Sequence, residues 1–144
     1  MPKSNKDVVA LYSKAVWNDR DLSVIDLLLA PDAKIHSPMK TIEGAESMRE
    51  IVEKWLIAFP DLSIHWDEFV AEGDTVVSRW TASGTHLGGF FDTKPTYKEV
   101  TYSGVTLYRL EKGKITDYRA LVDMHAILSQ LEEYDSIQEA LESE

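Results

Sequence analysis

The apolar positions change period about halfway along the chain. Up to Pro60 they recur every three or four residues; after Leu62 they alternate or run together in β-branched and aromatic stretches. Val8, Leu11, Tyr12, Ala15 and Val16 make a helical stripe, with Ser4 as a candidate N-cap and Asp7 three residues on. Asp19, Arg20 and Asp21 break it. Ser23 can cap a short helix over Val24–Leu29, which Pro31 stops, and Ala33–Ser37 reads as a short strand. A third helix is predicted after Gly44, where Met48, Ile51, Val52, Trp55, Leu56 and Phe59 share one face and Pro60 ends it.

Beyond that point the pattern is one of strands. Leu62 to about Ala71 forms the first, and Glu72-Gly73-Asp74 the turn after it. Thr75–Gly84 is the second, and a Gly- and Pro-bearing connection over Gly88–Pro95 leads to a long strand at Tyr97–Leu110. Glu111-Lys112-Gly113-Lys114 is a hairpin turn into Ile115–Val122, and Met124–Leu131 reads as a short helix. Helices first and strands afterwards predict an α+β fold with a mostly antiparallel sheet. Such a sheet can cover helices with one face and leave the other for a partner.

Strand parity sorts the candidate site. On Thr75–His86, Val76, Ser78, Trp80, Ala82, Gly84 and His86 share one face; on the long strand Val100, Tyr102, Gly104, Thr106 and Tyr108 do. Aromatic, small and hydroxyl residues mixed on both faces suit a sheet with a pocket on one side and a second subunit on the other.

Composition then removes whole classes of function. There are 15 Lys+Arg against 25 Asp+Glu, a net charge of −10, which disfavours phosphate backbones and anionic lipid, so no nucleic-acid and no membrane partner is expected. Residues 132–144 hold six acidic groups and no basic one, so we expect one domain over 1–131 and an acidic tail or short helix over 132–144. In the second case Tyr134, Ile137 and Leu141 would dock it. The absence of cysteine excludes disulfides, thiolate metal sites and a Cys nucleophile. The first residues lack a signal-peptide apolar run, and the longest apolar run, Trp55-Leu56-Ile57-Ala58-Phe59, is far too short for a bilayer. A cytoplasmic location is expected.

Motifs for nucleotide binding and serine hydrolysis are absent, and His36, His65, His86 and His125 show no metal-ligand spacing, so no metal is expected. One carboxyl stands apart. Asp123 lies between Ala120-Leu121-Val122 and Met124, and is either an N-cap for the last helix or a pocket acid able to exchange protons with a carbon acid.

Several strings, in order, now carry a resemblance: Phe59-Pro60-Asp61-Leu62, Gly73-Asp74-Thr75-Val76-Val77-Ser78-Arg79-Trp80, Gly84-Thr85-His86-Leu87-Gly88, Pro95-Thr96, Tyr108-Arg109, Gly113-Lys114-Ile115, and Asp123 followed by Leu128 and Gln130-Leu131. With these the chain resembles the SnoaL-like polyketide cyclases (ester cyclases) of the nuclear-transport-factor-two-like superfamily. The resemblance implies a cone. Three N-terminal helices would pack on the concave face of a strongly bent, mixed or antiparallel, barrel-like sheet around a deep pocket. It implies homodimers through the convex face and no cofactor. It also implies an intramolecular aldol closure on a small apolar carbonyl compound, with Asp123 as the acid/base. Where the cyclases carry a supporting histidine on the long strand, this chain has Tyr108 and Arg109, and Tyr97 replaces the glycine usual after Pro-Thr. Beside Asp123, the expected ligand contacts are Trp80 and His86 from the sheet, Tyr12 from the first helix, Trp55 or Phe59 from the third, and Tyr108. A related isomerisation, or a hydrolysis using Asp123 with Arg109 or Arg119, fits the same frame. So does a non-catalytic ligand-binding or dimerisation module.

Overall fold

The structure is a computed structural model that describes residues 4–38, 40–90 and 93–132. Helix α1 spans Asn5–Trp17, α2 Ser23–Leu28 and α3 Ala45–Ala58. The strands are β1 Leu29–His36, β2 Thr41–Glu43, β3 Ser63–Glu72, β4 Thr75–Thr85, β5 Glu99–Glu111 and β6 Lys114–Val122. Residues 124–132 form a fourth helix, α4. The tail expected at 132–144, with Tyr134, Ile137 and Leu141, lies outside the described residues apart from Glu132.

The six strands form one bent sheet in the order β2-β1-β6-β5-β4-β3. It stays open between its β2 and β3 edges and does not close into a barrel. Neighbours run antiparallel except β1 and β6, which are parallel, so the sheet is mixed. That parallel pair joins the two halves of the sequence.

The helices begin where the side chains allow. The Ser4 hydroxyl accepts from the Asp7 N–H at the start of α1. Helix α2 begins without a side-chain cap: its N-cap position is Leu22, and Ser23 gives its N–H and hydroxyl to Asp21 Oδ1. The β5–β6 hairpin turns through Lys112 and Gly113, both at positive φ, the geometry that matches strand twist in a two-residue loop.

Three boundaries differ from the sequence pattern. The apolar run through Leu29 reads as the end of a helix, yet β1 already starts there, because Leu29 pairs with Ile115 of β6. Pro31 and Asp32 are exposed and sit where the β1–β6 register shifts, a place that tolerates a residue without an N–H. Strand β5 starts at Glu99, not Tyr97, since Tyr97 adopts a φ of 62°. Strand β2 is three residues long and has no apolar alternation to announce it.

The core fills the space between α1, α3 and one face of the sheet. Val9, Tyr12 and Val16 of α1 and Met48, Val52 and Trp55 of α3 are buried against Val76, Trp80, Tyr102, Tyr108 and Tyr118. The outward-facing residues of the same strands, Arg79, Arg109 and Arg119 among them, are exposed. No helix among the described residues is long and apolar enough to cross a membrane.

Candidate functional site

The core is not filled completely. Between the end of α1, α3 and the inner face of the sheet lies a cavity of about 540 Å³ of open space, mouth included. Trp17 closes it from α1, and Ile51 and Trp55 from α3. Ser37 and Pro38 come from the β1–β2 connection, Leu62, Ile64 and Trp66 from the start of β3. The sheet contributes Trp80, Tyr102, Thr106, Tyr108, Tyr118, Ala120 and Val122.

Register explains why these residues meet. Trp66 pairs with Trp80 across β3 and β4, and Trp80 with Gly104 across β4 and β5. A Cβ on Gly104 would lie 2.7 Å from Trp80 Cη2 and 2.6 Å from the Leu121 carbonyl oxygen. Glycine therefore lets the indole lie flat across β5. That posture brings Trp80 Nε1–H to donate to Thr106 Oγ1 at 2.9 Å. Tyr108 pairs with Tyr118 across β5 and β6, their rings edge to face at 5.4 Å. Trp55 stacks on Tyr102 at 5.7 Å and 27°. All four tryptophans of the chain line this cavity.

No Asp, Glu, His, Lys or Arg is among the described residues lining the cavity. Its polarity comes from hydroxyls and one indole N–H. Burial pushes the Tyr108 phenol up to about 12, with the hydrogen bond to Ser13 holding it back in part. Burial raises Tyr102 and Tyr118 further. At Tyr118 the nearby Tyr108 and Tyr12 rings add to the rise. These phenols therefore keep their protons throughout the physiological range and act as neutral hydrogen-bond donors.

The residues singled out in the sequence fall in three places. Trp55, Trp80 and Tyr108 line the cavity. Tyr12, Phe59 and His86 are fully buried in the layer behind it. The Tyr12 ring meets Tyr108 edge-on at 6.3 Å, and Phe59 packs between Trp55, Phe90 and His86. His86 is held in that layer by the connection after β4: its Nδ1 accepts from the Thr96 N–H at 3.1 Å, and its own N–H donates to the Lys98 carbonyl. Parity put His86 on the face of Trp80, but the strand ends at Thr85 and the ring turns into the packing beyond.

Asp123 follows Val122, which lines the cavity, but is itself exposed. Its Oδ1 accepts from the Ala126 N–H at 3.0 Å and caps α4, while its N–H donates to the Ser103 carbonyl. Arg109 and Arg119 alternate with Tyr108 and Tyr118 and point to the outer face, so no carboxylate–arginine network forms in the cavity among the described residues.

Trp17, Trp66, Tyr102, Thr106 and Tyr118 were not among the sequence candidates. Tyr102 and Thr106 share the Tyr108 face by simple alternation. Tyr118 needed the β5–β6 register, which shifts by one residue at Thr116 from the one that the Lys112-Gly113 turn sets, and alternation from the turn would put Tyr118 on the wrong face.

The sequence model of the SnoaL-like polyketide cyclases matches residues 6–131. AclR of Streptomyces galilaeus, described as a candidate hydroxylase, is similar at 31% identity over 90% of this chain and 96% of that one, with a TM-score of 0.79. IdmH of Streptomyces antibioticus, described as a candidate polyketide cyclase, is similar at 27% identity over 90% of this chain and 99% of that one, with a TM-score of 0.76. A candidate SnoaL-like cyclase of Jannaschia sp. CCS1 has a TM-score of 0.81 at 24% identity, over 87% of this chain and 89% of that one, and shares the fold. No curated protein matches the chain.

Proposed function

This chain belongs to the SnoaL-like polyketide cyclase family, and on that footing we propose that it holds an uncharged, flat carbonyl compound and carries it through a cofactor-independent proton transfer. The reaction is an aldol-type ring closure or a related isomerisation. The observation that carries this reading is the wall itself: four tryptophans and three tyrosines with no formal charge among the described lining residues. Aromatic rings gain most from a flat partner, and an uncharged wall leaves an ionised ligand without a counter-charge. The pocket would act chiefly by holding a flexible chain in its reactive fold.

Asp123 is the proposed acid/base, reaching over the rim beside Val122. Helix capping engages Oδ1; the proposal assigns the proton transfer to Oδ2. Tyr12, Phe59 and His86 are proposed to support the ligand contacts from behind, through Trp55, Tyr102 and Tyr108. Two copies are proposed to pair through the outer sheet face.

Native mass spectrometry of the protein purified from its host identifies the retained compound, which is then incubated with wild type and Asp123→Asn. Asparagine caps a helix about as well as aspartate, so the variant should keep its melting temperature. Turnover should fall about 100-fold or more, the usual worth of a general base. Unchanged turnover would remove Asp123 from the mechanism. Binding without any product would make the protein a ligand carrier, a reading favoured by the exposure of Asp123. A product heavier by one oxygen atom would align the chain with AclR, the candidate hydroxylase.

A further inference from the structure

We propose that Tyr102 selects the ligand, its hydroxyl donating a hydrogen bond to the ligand's carbonyl oxygen. The inference rests on the proposed carbonyl ligand and adds which atom holds its oxygen. Tyr102 lies on the inner face of β5, lines the cavity and is 5% exposed. Three rings cage it. Trp55 stacks on it at 5.7 Å and 27°, Trp80 meets it edge-on at 5.9 Å and 86°, and Phe59 lies tilted at 6.1 Å. No member of the cage can take the phenol's proton, because an indole N–H only donates and a phenyl ring has no polar atom. The Trp80 N–H is spent on Thr106 Oγ1, and Cζ2 and Cη2 of the same ring lie over Gly104, between Thr106 and Tyr102. The rest of that indole is hydrocarbon.

Among the described residues nothing hydrogen-bonds the Tyr102 hydroxyl. The Tyr12 hydroxyl is sealed inside the protein; that of Tyr102 is not, and the open space its side chain borders is the cavity. Other lining hydroxyls are engaged: Tyr108 with Ser13 of α1 at 3.2 Å, and Ser37 with the Lys40 carbonyl at 3.0 Å. Tyr118 joins Tyr108 and Tyr12 in an edge-to-face series that runs towards α1. A flat ligand entering among the tryptophans therefore meets ring faces for its plane and one directed donor for its oxygen. A ligand of the same shape without that oxygen displaces water from the hydroxyl and leaves a buried donor unmatched, so the site discriminates by chemical group rather than by size. Ser103, the next residue, accepts the Asp123 N–H at 3.0 Å, which sets this donor and the proposed acid/base at the same end of β5. An oxygen held there is the one that gains charge when the neighbouring carbon loses its proton.

The probes are 9-fluorenone and fluorene, flat tricyclic molecules that differ by the carbonyl oxygen. Affinity is read from quenching of tryptophan fluorescence, and hydrogen bonding from the infrared carbonyl stretch of bound, 13C-labelled fluorenone. In wild type the stretch should lie below its value in hydrocarbon solvent, and fluorenone should bind tighter than fluorene. Tyr102→Phe keeps the caged ring and removes an oxygen that bonds nothing in the protein, so the melting temperature without ligand should not fall. In this variant the stretch should return towards the hydrocarbon value. The preference for fluorenone should fall about 3- to 10-fold, the range of one neutral hydrogen bond, with fluorene affinity unchanged. Placing 3-fluorotyrosine at position 102, a stronger donor of nearly the same shape, should lower the stretch further; this decides the matter should Tyr102→Phe lose both probes. An unshifted carbonyl in wild type, or a shift retained in Tyr102→Phe, overturns the role of Tyr102 while leaving the apolar pocket intact; loss of a retained shift in Tyr118→Phe would give the role to the other phenol. A lower melting temperature in Tyr102→Phe would show that the hydroxyl has a partner inside the protein, and overturns it too. Binding of neither probe to wild type overturns the pocket reading, and this inference with it.

Discussion

Single residues decide the shape of the wall, and Gly104 most of all. It is the one position on β5 where the backbone can carry an indole ring across it. In Gly104→Ala the new methyl has the Leu121 carbonyl on one side and the Trp80 ring on the other, so the ring must lift. Overpacking of this kind costs about 1–3 kcal/mol. Lifting Trp80 also breaks its bond to Thr106. The variant should therefore melt earlier and show a changed tryptophan emission, because one indole N–H loses its acceptor. An unchanged melting temperature and spectrum would mean that Trp80 does not lie across Gly104. Alternation alone made Trp80 and Tyr108 visible in the sequence, and the helical stripe made Trp55 visible. It could not separate the wall from the layer behind it. Tyr12, Phe59 and His86 have the same apolar bulk as the lining residues, and only packing distinguishes them. Asp123 was legible as either a cap or a pocket acid; the cap is in place, and the acid/base role stays with the Asn variant to decide.

At the scale of elements, the recurrent problem is a strand whose neighbour stops short. Strand β5 runs beyond the end of β6, whose last pair is Gly104 with Val122. Two devices from α4 cover the gap. The Asp123 N–H donates to the Ser103 carbonyl, and the Gln130 side-chain amide binds both backbone groups of Thr101: Nε2 to its carbonyl at 2.8 Å, and Oε1 from its N–H at 3.1 Å. Asn18, at the end of α1, does the same for Ile64 on edge strand β3. A side-chain amide thus stands in for a missing strand, and each example ties a helix to the sheet. Gln130→Ala should lower stability by about 1–2 kcal/mol for the two bonds lost to Thr101 and the one lost to the Ala126 carbonyl. Amide exchange should quicken at Thr101 but not at Thr106, within the β5–β6 ladder. Equal acceleration at both would show that α4 supports the whole sheet rather than its end. None of this is visible in the sequence, where Gln130 is one polar residue on a helix. The same limit applies to β1: its pairing with β6 crosses most of the chain, and local pattern carries no information about it. The long helices and β4 to β6 were legible because each buries one face by itself, with the period its geometry demands, and β3 through its half-buried Ile64, Trp66 and Phe69.

For the whole molecule, the sheet presents two different faces at a period of two residues. The inner residues Thr106 and Tyr108 of β5 line the cavity, while Val105 and Leu107 between them face outward. On the outer face the register sets Val77 beside Leu107 and Val105 beside Leu121. Leu121 is 57% exposed in the single chain. This apolar row is flanked by Arg79, Arg109 and Arg119 and by Asp67, Glu68 and Asp117. Charges of both signs at its border let two copies match by rotation, which a chain with a net charge of −10 needs in order to self-associate. Pairing through this face would stiffen the strands that hold the inner wall, so subunit contact and ligand affinity should rise and fall together. Leu121→Asp places an unpaired carboxylate in the contact, where its desolvation opposes association. Sedimentation of wild type at micromolar concentration should give a dimer and Leu121→Asp a monomer. The monomer should retain the circular dichroism of the fold and bind the cavity's ligand more weakly. A wild-type monomer would discard the outer face as an interface. A dimer that survives the substitution would move the contact elsewhere. A monomeric variant with undiminished affinity would separate the two faces, leaving the helices and the inner wall sufficient on their own.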